Sequence, residues 1–124
     1  MSELHPPPFH IFRLWQSFLD NVNPLIKILH APTIQQQILD ASADLARISK
    51  TIEALMFGIY SMSITSIDNE ECISLFGKER EFLLAQYHTG ARKALKNAAL
   101  LRSSDLVTLQ AFFLYLVRLT QDMI

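Results

Sequence analysis

Ile52-Glu53-Ala54-Leu55-Met56-Phe57-Gly58-Ile59-Tyr60-Ser61-Met62-Ser63-Ile64-Thr65-Ser66-Ile67 is the stretch that decides the fold of this chain. It is apolar nearly all round, the pattern of a helix buried at the centre of a domain. It is shorter than the about 20 residues needed to cross a bilayer, and Glu53 and several hydroxyls interrupt it. A buried helix is therefore expected, with Gly58, which costs about 1 kcal/mol relative to alanine, marking a close contact with a neighbour.

Upstream of it, Thr33 and Gln36 have capping-box spacing, in which each side chain satisfies an orphan backbone N–H. Ile34, Ile38, Leu39, Leu45 and Ile48 then line one side, leaving Gln35, Asp40, Asp44 and Arg47 for water. Earlier still, Phe9, Ile11, Phe12, Trp15, Phe18, Leu19 and Val22 recur at three- and four-residue steps, an amphipathic helix. Asn21 to Pro24 stops it, because the residue before a proline avoids helical backbone. A short turn of helix follows over Leu25–His30. Residues 1–8 read as an extended, proline-rich leader, with Pro8 suited to a first helical turn.

Downstream, Asp68 and Glu71 open a short helix to Phe76, and Gly77 is its natural C-cap. Lys78–Leu101 reads as the longest helix, carried by Phe82, Leu83, Tyr87, Ala91, Ala94, Leu95, Ala98 and Leu101. Ser103 or Ser104 caps the last one, Leu106 to Met123. There Phe112, Phe113, Tyr115, Leu116 and Leu119 leave almost no polar face. No segment alternates with a period of two. The chain reads as all-α, a compact multi-helix domain of about five to seven helices over residues 1–124. Its last helix is too apolar to lie outermost, so a second copy, a lipophilic ligand or further sequence is expected to cover it.

Composition agrees. Half of the 124 residues are hydrophobic and 19% are charged, against roughly 25% in an average domain. Mean hydropathy is +0.20. The net charge of −1 argues against a protein built to neutralise phosphates. His88, Arg92, Lys93, Lys96 and Arg102 read as the solvated side of one helix. No direct nucleic-acid partner and no membrane partner is expected. Cys72 is alone, which excludes an intramolecular disulfide and suits a reducing, intracellular compartment. Met1 to Pro8 lacks the basic start and apolar run of a signal peptide.

The residues offer little chemistry. His5, His10, His30 and His88 lack metal-ligand spacing, and one cysteine does not complete a zinc site, so no metal and no cofactor is expected. Cys72 follows Glu70 and Glu71, which disfavour a thiolate, and reads as a structural, buried or half-buried thiol. Asp40/Asp44 and Glu70/Glu71 read as solvated acids rather than a general acid–base pair. No catalytic and no DNA-binding residue is assigned. Trp15, His30, Tyr60 and Tyr87 are the candidates for a small-molecule pocket. Each has an apolar body and a polar tip that can orient a hydrophobic ligand, although plain core packing accounts for such residues too.

Two motifs carry a resemblance. The first is His5-Pro6, Leu14-Trp15, Phe18, Val22-Asn23-Pro24 and Leu29-His30-Ala31-Pro32-Thr33. The second is Ser103-Ser104-Asp105-Leu106 with Leu109-Gln110-Ala111-Phe112-Phe113-Leu114, preceded by Tyr87, Ala91 and Leu95 at four-residue steps. Together they resemble the opening half of the middle homology region of fungal-specific transcription factors of the binuclear zinc cluster family. The resemblance implies an all-helical regulatory domain, nuclear, without metal or catalytic residues of its own. The family's six-cysteine DNA reader has no counterpart in these residues, nor do the region's later helices. An excised piece, a truncated gene product and a repurposed stand-alone protein all fit.

Two functions follow from this reading. One is a regulatory or dimerisation module that associates with itself or another protein through the C-terminal apolar helix. The alternative is a stand-alone helical protein that binds or transforms a hydrophobic metabolite. The residues favour a protein that is not an enzyme; an enzyme here would be a cofactor-independent isomerase or cyclase working by shape.

Overall fold

The computed structural model describes residues 4–23 and 31–99. Among them are five α-helices and no strand, so the fold is all-α. We label the helices α1 (Pro8–Ser17), α2 (Ala31–Ala43), α3 (Lys50–Thr65), α4 (Asn69–Phe76) and α5 (Arg80–Ala99). A π-helical turn, Phe18–Val22, prolongs α1, and a 3-10 turn, Leu45–Arg47, follows α2. The expected turn over residues 25–30, the Ser103/Ser104 cap and the last helix lie outside the described residues.

The stretch quoted first is the central helix. Twelve of the 16 residues of α3 are buried, from Glu53 to Ile64, so neighbours surround it on every side. Ser49 caps it, its hydroxyl accepting the Ile52 N–H at 3.1 Å. At its other end Arg80 replaces the missing helical donors. Its Nε donates to the carbonyls of Ile64 (3.3 Å) and Ile67 (2.9 Å), and its Nη2 donates to that of Thr65 (3.0 Å). A guanidinium there also meets the negative end of the helix dipole.

The largest helix interface is that of α3 with α5. It is close because α5 presents Gly90: a Cβ there would lie 2.4 Å from the Phe57 ring. Gly58, expected to mark a close approach, is itself buried in α3. Between α3 and α5, α4 begins at Asp68, whose carboxylate accepts the Glu71 N–H at 2.8 Å. It ends at Gly77, whose φ of 74° is left-handed backbone that favours glycine.

The first helix lies against α3 through Ile11, Leu14, Trp15, Phe18 and Val22. Phe9 and Phe12, expected on that face, are 65% and 39% exposed. The buried steps run 11–14–15–18–22, which turns both phenylalanines outward, and Arg13 covers the Phe9 ring at 5.5 Å. Ser63 Oγ lies 2.7 Å from both the Leu14 and the Ile59 carbonyl. A hydroxyl has one proton, so the two carbonyls share it, fastening α3 where α1 runs into its π turn.

Two other positions leave the expected core. Leu39 is 42% exposed, because α2 buries Ile34, Ile38 and Ala41 and stops at Ala43. The 3-10 turn then brings Leu45 and Ile48 back only to half-buried positions. Phe82 is 55% exposed, since Leu83 takes the inward place beside it, and the Lys78 ammonium covers its ring at 5.0 Å. Arg92, Lys93 and Lys96 face water, as a solvated side does.

Candidate functional site

Residues 4–6 of the leader do not trail into solvent. His5 and Pro6 are buried, and the His5 ring enters between the leader and α3 to lie 4.4 Å from Phe57, centroid to centroid. His5 Nε2 is 3.0 Å from Glu53 Oε2, and Nδ1 is 2.9 Å from the Tyr60 hydroxyl. The His5 imidazole is fully enclosed and the Glu53 carboxylate nearly so. An ionised carboxylate only accepts, so Nε2–H donates to Glu53, and a neutral ring then leaves Nδ1 to accept the Tyr60 O–H. The pattern fits Tyr60 holding its proton. Burial first, then Tyr87 and Glu53 nearby, push its phenol well above the usual 10.0.

Acid, imidazole and hydroxyl in that order resemble a relay that activates a nucleophile. Here the hydroxyl is walled in and keeps its proton, so the array acts as a pin. It fixes residues 4–7 to α3, while Gln86 Nε2 on α5 donates to the Leu4 carbonyl at 3.2 Å.

Tyr87 stands next in the row, its ring centroid 5.2 Å from that of Tyr60. Burial, with a smaller contribution from Cys72, raises its pKa above the ordinary value. Tyr87 also borders a cavity of about 250 Å³ that opens between the leader, the end of α4 and α5. His5, His10, Phe76, Lys78 and Leu83 are among its walls.

Of the four sequence candidates, Tyr60 and Tyr87 are thus brought together. Trp15 lies elsewhere: it is buried, stacks on Phe18 at 5.6 Å, and its Nε1–H donates to Gln35 Oε1 on α2 at 2.9 Å. His30 is outside the described residues. His5 and Glu53 escaped the sequence reading. Their signal was a lone acid within an apolar helix, which needs a buried partner, and His5-Pro6 at the head of the first motif.

The remaining sites are plain. Cys72 is a free, buried thiol that burial pushes above 9.0, against the opposing effect of Arg80. Asp40 and Asp44 are exposed and rim an open groove of about 420 Å³ with Ala41, Ile48 and Ile52. Among the described residues no cluster of three or more metal-ligating side chains occurs, and no helix is long and apolar enough to cross a membrane.

No protein-family model matches the chain, and no solved structure matches it. Fungal regulators do. Transcriptional regulator AacuB of Aspergillus aculeatus is 48% identical over 122 residues, 98% of this chain and 17% of the relative. Pyriculol/pyriculariol biosynthesis cluster transcription factor 1 of Pyricularia oryzae is 47% identical over 117 residues, 94% of this chain and 16% of its own length. Aurofusarin cluster transcription factor aurR2 of Gibberella zeae is 44% identical over 119 residues, 96% and 18%. By sequence the chain is similar to fungal transcription regulators, and it spans less than a fifth of the length of those it matches.

Proposed function

We propose that the chain is a regulatory, self-associating module of a fungal biosynthetic-cluster transcription regulator. It corresponds to the opening half of the middle homology region, and it works in the nucleus beside a DNA reader that these residues do not supply. The observation that carries this is similarity along nearly the whole chain to transcription regulators, two of them named for a pyriculol/pyriculariol biosynthesis cluster and an aurofusarin cluster. The composition agrees: a net charge of −1 and one cysteine do not make a six-cysteine, phosphate-binding reader. The apolar sequence Leu106 to Met123 is the segment we propose for self-association or for a partner protein.

The test fuses the chain to an unrelated DNA-binding domain above a reporter in a filamentous fungus. Reporter output that changes with the fused chain, together with a dimer of the isolated chain in sedimentation, supports the module. Unchanged output from well-expressed fusions refutes it, as does sequence-specific DNA binding by the isolated chain at physiological salt.

A second reading, that the domain receives a small hydrophobic molecule, is favoured by one observation: Tyr87 borders a cavity.

A further inference from the structure

We propose that the cavity between Pro6–Pro7 and α5 binds a small planar aromatic acid, its ring against Leu83 and Tyr87 and its anionic group at Lys78. The proposal rests on the small-molecule reading and deepens it; the transcriptional reading stands or falls separately.

Size comes first. At about 250 Å³ the space lies just below the usual range for drug-sized ligands, so it suits a molecule of one ring or two fused rings. Pro6, Pro7, Phe76 and Leu83 supply flat or branched apolar walls. Two of these are prolines whose backbone is already restricted. The pin through His5 and the bond from Gln86 to Leu4 hold that wall against α3 and α5 without a ligand. A wall fixed beforehand costs a small ligand little ordering.

Charge comes next. The titratable groups that line the cavity are His5, His10, Lys78 and Tyr87, and no carboxylate is among them. His5 already gives its Nε2 proton to Glu53. The His10 ring meets Phe76 edge-on at 5.2 Å. Lys78 lines the cavity and has no carboxylate partner among the described residues; its ammonium rests over Phe82, outside the cavity walls, and must swing inward on its flexible stem to meet a ligand. It is the cation left for an anionic ligand.

A further polar group points the same way. Tyr87 is 2% exposed and borders the cavity. Buried phenols usually find a hydrogen-bond partner, and a ligand oxygen in the cavity would serve. An aromatic acid with an adjacent hydroxyl offers both an anion and that oxygen on one flat ring.

The test titrates the full chain, labelled with nitrogen-15, with salicylate and with its neutral analogue salicylamide, followed by NMR. Saturable salicylate shifts centred on Lys78, Leu83, Gln86 and Tyr87 are expected, with a Kd of about 0.1 to 1 mM for so small a ligand. Lys78→Met should weaken salicylate about tenfold or more and leave salicylamide unchanged. Tyr87→Phe, which keeps the ring, should weaken both several-fold. Both variants must melt as the wild type does, and Lys78 is exposed enough for that to hold. Equal affinity for the two probes, insensitive to Lys78→Met, overturns the acid and leaves a neutral-ligand site. Absence of any saturable shift overturns the aromatic-acid site; shifts confined to the groove at Asp40 and Ile48 overturn it too, while leaving a small-molecule site elsewhere in the domain.

Discussion

Gly90→Ala separates two effects of opposite sign. In an exposed helix the substitution stabilises by about 1 kcal/mol, since alanine loses less backbone freedom than glycine. At Gly90 the new methyl would meet Phe57 ring carbons at 2.4, 2.5 and 2.9 Å, where ordinary contact begins at 3.4 Å. The ring must therefore retreat by about 1 Å in a site that burial closes. It is fully buried, and the rings of His5 and Tyr60 lie 4.4 and 5.3 Å away, centroid to centroid. Overpacking of this kind costs about 1–3 kcal/mol. With the upper value appropriate to a ring boxed on several sides, the net is a loss of about 2 kcal/mol, or roughly 6–10 °C in Tm for a chain of this length. Urea unfolding followed by Trp15, the single tryptophan and a buried one, reads the change directly. In a Phe57→Leu background the methyl finds room, and Gly90→Ala should become neutral or stabilising, a coupling of about 2 kcal/mol. Stabilisation by Gly90→Ala in both backgrounds would refute the close approach of α3 and α5.

Other perturbations probe the pin, the helix end and the buried hydroxyls. His5→Ala strands the Glu53 carboxylate and should cost about 3–5 kcal/mol, whereas Glu53→Gln keeps an acceptor for Nε2–H and should cost about 1; equal losses in urea unfolding would contradict the pin. Arg80→Ala removes charged donors from three carbonyls at the end of α3 and should cost about 2 kcal/mol, with Arg80→Lys restoring part; a Tm within 1 °C of wild type would count against the clamp. Folded-state pKa values of Cys72, Tyr60 and Tyr87 are all raised, so above their ordinary values of 9.0 and 10.0 the unfolded chain loses protons that the folded chain keeps. Stability contributed by these groups is thus fully present below pH 9 and lost as pH rises past it, by up to about 1.4 kcal/mol per pH unit for each group; urea midpoints that stay level from pH 8 to 11 would refute this.

Much of the fold was legible because helix ends and helix faces leave strong local signals. Asp68, Gly77 and Pro8 marked boundaries through their own backbone chemistry, and the structure places α4 and the start of α1 there. The continuous apolar character of residues 52–67 required a central position, and α3 has it. Faces of amphipathic helices were less secure where aromatic residues crowd them. Phe9, Phe12 and Phe82 satisfy a three- or four-residue step as well as their inward neighbours do. Periodicity does not say which of two adjacent large side chains turns inward; that is settled by the surface opposite. Arg13 and Lys78 give two of those outward rings a cation to lie under, an arrangement that composition does not announce.

The candidate site was legible on one side only. Tyr60 and Tyr87 were each read as an apolar body with a polar tip, and the structure brings their rings together. What those tips reach depends on residue 5, which is 48 residues from Glu53 and 55 from Tyr60 along the chain. A partner so remote follows from no local rule, but a constraint was already present in the central helix. A carboxylate enclosed in apolar surroundings must be neutralised or hydrogen-bonded, so Glu53 demanded a donor from somewhere. The donor comes from the segment just ahead of α1, where Pro6 and Pro7 lie outside any helix. Proline supplies no backbone N–H, so that segment is held by what His5 bonds and by the Gln86 bond to the Leu4 carbonyl. The leader becomes a wall of the domain for that reason, and the cavity exists because a wall of prolines does not fill the space behind it.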